Sequence, residues 1–143
     1  LIEYAKYVEN YYGTPRDYVE RQLESGKDVI LEIEIQGALK IREKFPDTVL
    51  MFLMPPTADE LKKRLEGRGT EDEATIKKRL LRAVEESQGV EEYDYIVIND
   101  VLDDCVEQIH EIIGNEHCKA SNNLEKINQF RDELTNMWKG DIR

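Results

Sequence analysis

The residues Asp28 to Gly37, Asp-Val-Ile-Leu-Glu-Ile-Glu-Ile-Gln-Gly, constrain the fold more than any other stretch of this chain. Val29, Ile30, Leu31, Ile33 and Ile35 place five branched aliphatic side chains in seven positions, which favours strand over helix. The front half is continuously apolar, as a strand covered on both faces must be. Further on, acid and aliphatic residues alternate, so Glu32 and Glu34 share one side of the pleat. Gln36-Gly37 stops the strand, and an amphipathic stretch follows. In open α/β sheets, ligands bind in the crevice outside the carboxyl ends of the strands. Two carboxylates placed there suit polar ligand or metal contacts. A half-exposed edge strand showing its acids to water fits the same pattern.

A chain of 143 residues is about one domain, long enough for a sizeable core. Its net charge of −11 argues against nucleic acid as a partner, because a phosphate backbone demands a basic surface. A small nucleotide needs only a few local arginines and stays open. No run of 18 or more apolar residues occurs, so no membrane-spanning helix is expected. No signal-peptide pattern opens the chain, and Cys105 and Cys118 read as free thiols of a reducing cytoplasm.

Taken in order, Gly13 can turn the backbone and Thr14 can cap a helix whose first position is Pro15. That helix is expected to bury Tyr18, Val19 and Leu23 and to end at Gly26. After the central stretch, Ala38 to Lys44 reads as a short helix and Thr48 to Leu53 as a second fully buried strand. Strand, helix and strand at this spacing predict a parallel, right-handed βαβ unit. Tyr95 to Ile98 reads as a third buried strand, with Asn99-Asp100 at its carboxyl end. Val101 to Ile113 is an amphipathic helix with Leu102, Cys105, Val106, Ile109, Ile112 and Ile113 on one stripe. From Ser121 the tail is helical again. His110 and His117 lack zinc-ligand spacing and read as surface or packing residues.

The concentrated basic region lies between the second and third strands. Thr57 with Glu60 forms a capping-box pattern, opening a helix that carries Lys62, Lys63, Arg64 and Arg68. Gly67 and Gly69 interrupt it, and Thr70 with Glu73 opens a second helix with Lys77, Lys78, Arg79 and Arg82. Arg64 and Arg68, four apart, share a helix face, and arginine suits bidentate phosphate contacts. A hinged, arginine-bearing flap meets the needs of phosphoryl transfer, where a positioned arginine contributes about 10³–10⁵-fold in rate. A solvated face with i,i+4 pairs to Glu60, Glu66 and Glu73 fits the same residues.

Four motifs in order now carry a resemblance. Glu3 with Asn10-Tyr-Tyr-Gly-Thr14, Leu31-Glu-Ile-Glu-Ile-Gln-Gly37, Lys63-Arg-Leu-Glu-Gly-Arg-Gly-Thr70 and Ile98-Asn-Asp100 resemble the guanylate kinases, chiefly the free-standing bacterial enzymes. The resemblance covers roughly residues 1 to 113. It implies a P-loop nucleoside monophosphate kinase fold of the α/β class, three-layered around a parallel sheet, with a GMP-binding subdomain and a helical lid. On that reading, residues 1–27 are the C-terminal part of the GMP-binding subdomain, and 28–56 and 91–113 are core. Residues 57–90 are the lid and following helix, and 114–143 a helical tail. The implied reaction is ATP plus GMP giving ADP and GDP, with magnesium. Glu3, Thr14 and Glu34 would read guanine, and Tyr12 would hydrogen-bond the GMP phosphate. Arg64, Arg68 and Arg79 match lid arginines that close over the ATP phosphates. Asn99 matches a position near the nucleotide site, and Glu32 an acid at the strand end.

The guanine assignment has a physical basis. The Watson–Crick edge of guanine presents adjacent N1–H and N2–H donors that suit a carboxylate, and an O6 acceptor that suits a hydroxyl. Adenine puts an acceptor at N1, so a carboxylate there would face a lone pair, and unpaired buried polar groups are costly.

Two departures bear on this. Position 34 is usually aspartate in the family, and the longer Glu34 moves the carboxylate by more than about 1 Å. The glycines stand at 13, 26, 37, 67, 69, 89, 114 and 140, so no G-x-x-x-x-G-K-[ST] phosphate cradle occurs among these residues. The expectation is therefore the larger, C-terminal part of a guanylate kinase, binding GMP weakly at best and not turning over alone. The alternative is a catalytically silent guanylate-kinase-like domain used for protein binding. A kinase for another nucleoside monophosphate fits the paired acids less well.

Overall fold

The computed structural model describes residues 4–7, 10–13, 15–67, 69 and 72–142; for 4–7, 10–13, 141 and 142 it describes the backbone. Two compact units divide it, residues 1–98 and 99–143.

The first unit opens with an antiparallel hairpin, β1 (Tyr4–Tyr7) against β2 (Asn10–Gly13), with Tyr4 opposite Gly13 and Tyr7 opposite Asn10. Helix α1 (Arg16–Glu24) follows, with Pro15 at its N-cap, so the proline sits one residue earlier than the predicted first turn. Gly26 adopts φ +84°, and the amides of Gly26 and Lys27 bond back to the carbonyls of Leu23 and Gln22, ending the helix as expected. Of the three predicted core residues, Val19 alone is buried, while Tyr18 and Leu23 stay 57% and 53% exposed.

The expected central strand is not one. Residues 27–34 form no ladder among the described residues, and helix α2 (Ile35–Lys44) begins three residues before the predicted Ala38. A strand exists through a hydrogen-bonded neighbour, which apolar density alone does not supply. The alternation nevertheless survives. Val29, Leu31 and Ile33 pack on Val19 and Ile41, together with Phe45, whereas Ile30 is 75% exposed, so the stretch is covered on one side only.

The parallel ladder forms elsewhere, between β3 (Met51–Met54) and β4 (Tyr95–Ile98), with Met51 opposite Tyr95 and Met54 opposite Ile98. The chain between them forms α3 (Ala58–Gly67), α4 (Glu73–Ser87) and a 3₁₀ turn at Val90–Glu92. The predicted βαβ pairing of residues 28–35 with 48–53 is thus replaced by this longer crossover. Neither strand is fully buried: in β4 Val97 is wholly buried while Ile96 and Ile98 are each 41% exposed, and in β3 Met51 and Phe52 are partly buried while Leu53 and Met54 are exposed.

The second unit is a helical pair. Helix α5 (Leu102–His117) runs four residues past Ile113. Of its predicted stripe Cys105 and Ile112 are buried, while Leu102 and Val106 are exposed. A 3₁₀ turn at Ala120–Asn122 leads into α6 (Leu124–Ile142). Asparagine amides tie off the end of α5: Asn122 Nδ2 donates to the Glu116 carbonyl, and Asn123 Nδ2 to those of His117 and Lys119, each at 2.7 Å. Cys105 and Cys118 are both free thiols. No described helix is long and apolar enough to cross a membrane.

Candidate functional site

Glu34 is the residue around which the first unit gathers charge. It stands at the N-cap of α2 with extended backbone (φ −76°, ψ 165°), yet its side chain makes no capping bond. Its Oε2 instead accepts from Arg82 Nη2 on α4 at 3.1 Å. Arg82 Nη1 lies 3.4 Å from Glu85 Oε2, and its Nε lies 3.3 Å from Glu86 Oε1, an ion pair without hydrogen-bond alignment. Arg82 and Glu34 keep 20% and 23% of their side-chain surface exposed, so the pair is screened less than a surface bridge.

Two half-buried carboxylates therefore share one guanidinium. Burial holds the Glu86 carboxyl above its ordinary range, Arg82 opposes this, and the charge of Glu34 adds to it. The Arg82 guanidinium is held above its usual value: burial lowers it, and the bond to Glu34 and the charges of Glu86 and Glu34 more than compensate. Burial likewise raises the nearby Tyr93 phenol, and the Glu86 charge reinforces that shift. A cavity of about 200 Å³ beside the pair is lined by Ile35, Gln36, Leu39, Arg82, Glu86 and Gly89, among others.

The other predicted site residues are spread. Tyr12 lies on β2 opposite Ala5 in the hairpin. Glu32 is exposed in the segment before α2, in a different environment from Glu34 although the two are one residue apart in alternation. Arg64 sits on α3, where Glu60 accepts its Nε proton at 3.1 Å, the i,i+4 pairing that a solvated face allows. Arg79 lies on α4, partly buried, three residues before Arg82 and on the same helix face. Asn99 is half-buried at the start of the second unit. Glu3, Thr14 and Arg68 fall outside the described residues. The structure thus joins Glu34 to α4 through Arg82, whose place among the basic residues of that helix gives no sign of this role in the sequence.

Capping of the basic helices follows the prediction in one case. Thr57 Oγ1 accepts from the Glu60 amide at 3.1 Å ahead of α3. At α4 the cap is Asp72, whose Oδ1 accepts from the Thr75 amide at 2.8 Å, so the predicted start at Thr70 moves by two residues. Gly69, at φ +63°, takes the left-handed turn between the two helices.

A family profile for guanylate kinase matches residues 1–116. The guanylate kinase of Halalkalibacterium halodurans is 53% identical over 130 residues, covering 91% of this chain and 64% of that protein. The guanylate kinase of Latilactobacillus sakei is 48% identical over 133 residues, covering 93% and 66%. Among solved structures, guanylate kinase from Anaplasma phagocytophilum superposes with a TM-score of 0.73 at 30% identity, over 91% of this chain and 64% of that one. The chain thus spans just under two thirds of the length of these relatives. Matched over most of its length in sequence and in fold, this chain belongs to the guanylate kinase family.

Proposed function

We propose that this chain serves ATP:GMP phosphoryl transfer. In that reaction a phosphate oxygen of GMP attacks the γ-phosphorus of ATP. The bond from that phosphorus to the β–γ bridging oxygen breaks, leaving ADP and GDP. The chain's part is to bind and orient. Glu3, Thr14 and Glu34 read the guanine edge, and Tyr12 holds the GMP phosphate. Arg64 on α3, Arg79 on α4 and, with them, Arg68 close over the transferring phosphates, where positioned guanidinium groups stabilise spread charge. In this reading Asn99 is a nucleotide contact of the second unit, and Glu32 is the family's acid ahead of α2.

No group of three or more His, Cys, Asp or Glu side chains among the described residues could hold a metal ion. Magnesium enters this proposal with the nucleotide substrate, since Mg²⁺ is typically held by phosphate oxygens, water and one or two carboxylates.

The observation that supports the reading best is Glu34, a half-buried carboxylate held at a helix N-terminus by an arginine rather than turned outward to water. Calorimetric titration with GMP, with AMP as control, tests it. Heat with GMP and none with AMP is expected. A folded chain that gives no heat with GMP overturns the reading in favour of a silent binding domain.

A further inference from the structure

The end of α4 lies over the start of α2, and both packing and charge hold it there. A Cβ on Gly89 would come within 2.8 Å of Ile35 Cδ1, so the chain leaving α4 runs directly over the first residue of α2. Ile35 is buried at that contact. One residue earlier, Glu34 reaches out to Arg82 instead of folding back onto the helix amides. Glutamate carries one more rotatable bond than aspartate, and an unheld carboxylate would sample several positions. A group that reads a flat base edge must be fixed to within about 0.5 Å. The planar fork of arginine, itself anchored by Glu85 and Glu86, supplies that restraint. Its bond uses Oε2, and a carboxylate has about four acceptor sites, so capacity for a ligand's N–H groups remains.

We propose that Arg82 is a positioning residue for Glu34, fixing the carboxylate that reads the guanine edge and thereby setting the preference for bases that carry a 2-amino group. The proposal rests on the reading of Glu34 as a base contact. Arg82 acts through Glu34 and does not touch the nucleotide. An aspartate at position 34 would be one methylene too short to keep the 3.1 Å bond without movement of α4.

The test is calorimetric titration of the full chain with GMP and with inosine monophosphate, which lacks the 2-amino group. Arg82→Gln is expected to weaken GMP binding about tenfold and inosine monophosphate binding much less, shrinking the ratio between them. Arg82→Lys, which keeps the charge and loses the fork, should fall between, and it carries the test if the Gln variant does not fold. Glu34→Gln should show the same loss, and the double variant should lose no more than Glu34→Gln alone. Additive losses would mean that Arg82 touches the nucleotide itself, which overturns a positioning role. Equal losses for both nucleotides with a lowered melting temperature would reduce Arg82 to a structural brace and also overturn it. If Glu34→Gln weakens GMP binding and Arg82→Gln does not, the proposal falls while the base contact stands. If Glu34→Gln changes nothing, or the folded chain takes up no GMP, the base contact falls and the proposal with it.

Discussion

Arg42 and Asp94, 52 residues apart, meet in an ion pair that sets where the parallel ladder begins. Asp94 Oδ2 also accepts from the Leu50 amide at 2.8 Å, while the Leu50 carbonyl receives the amides of Asp94 and Tyr95 at 2.9 and 3.1 Å. Arg42 Nη1 adds a 2.7 Å bond to the Glu92 carbonyl. One carboxylate thus ties α2 to the leading ends of both β3 and β4. Replacing Asp94 by Ala leaves the Leu50 amide and the guanidinium without this acceptor. A loss of about 1–3 kcal/mol is expected in urea unfolding, with Asp94→Asn losing less because an acceptor remains.

Among the described residues Val97 is the one large side chain that is fully buried, whereas its neighbour Ile96 is 41% exposed. Val97→Ala should therefore cost about 2–3 kcal/mol and Ile96→Ala less than half of that, although the isoleucine loses more atoms. Paired chemical denaturation curves check the ranking. Equal costs would mean that β4 is covered on both sides.

Glu86 makes stability depend on pH. Burial raises its folded-state pKa above the ordinary value of 4.5, with Arg82 opposing and Glu34 reinforcing the shift. The folded state thus holds the proton more tightly than the unfolded chain. The contribution is fully present below the unfolded value and is lost as pH rises through the folded one. Glu86→Gln, which stays neutral, should gain stability relative to the native protein as pH rises above 4.5. Thermal melts at several pH values read the difference, and a constant offset would contradict it.

Asp72 works in the opposite sense. Its bond to the Thr75 amide holds its pKa below the ordinary 3.8, so its support of α4 is present above that value and is lost as pH falls through the lower one. Asp72→Ala should lower the melting temperature at neutral pH, and the deficit should close in acid. Asp72→Asn, still a good cap, should stay near the native protein.

The 143 residues contain no G-x-x-x-x-G-K-[ST] pattern to cradle ATP phosphates. With GMP and ATP supplied, the chain by itself is expected to fall far below ordinary kinase turnover of about 1–100 per second. A coupled assay for ADP release measures this, and turnover in that range would show that another segment cradles the phosphates.

Local chemistry made parts of the fold legible. The β4 bounds at Tyr95 and Ile98 coincide with the apolar run that predicts them, and Thr57 caps α3 as its pattern with Glu60 requires. Gly26 ends α1 because an L side chain resists its positive φ. The cap of α4 is Asp72 rather than the expected Thr70, because both are good caps within two residues and only the backbone path chooses between them. Among the candidate site residues, Glu34 was legible as an acid at the end of an apolar run. Arg82 was not: its spacing to Glu86 shows an i,i+4 pair, and nothing in the sequence points across 48 residues to Glu34.

The sequence by itself determined which segments carry helix caps, glycine stops and alternating apolar residues, since each depends on neighbours within a few positions. It also carried the family, because four motifs kept their order and separations. Tertiary structure decided which apolar segment became a strand. Residues 28–34 keep their alternation without a ladder, while Met51–Met54 and Tyr95–Ile98 pair, because a strand is defined by the partner that completes its hydrogen bonds. The same holds for charge. Whether Glu34 faces water or a guanidinium depended on where α4 came to lie over α2, a distance in space that spacing along the chain does not encode.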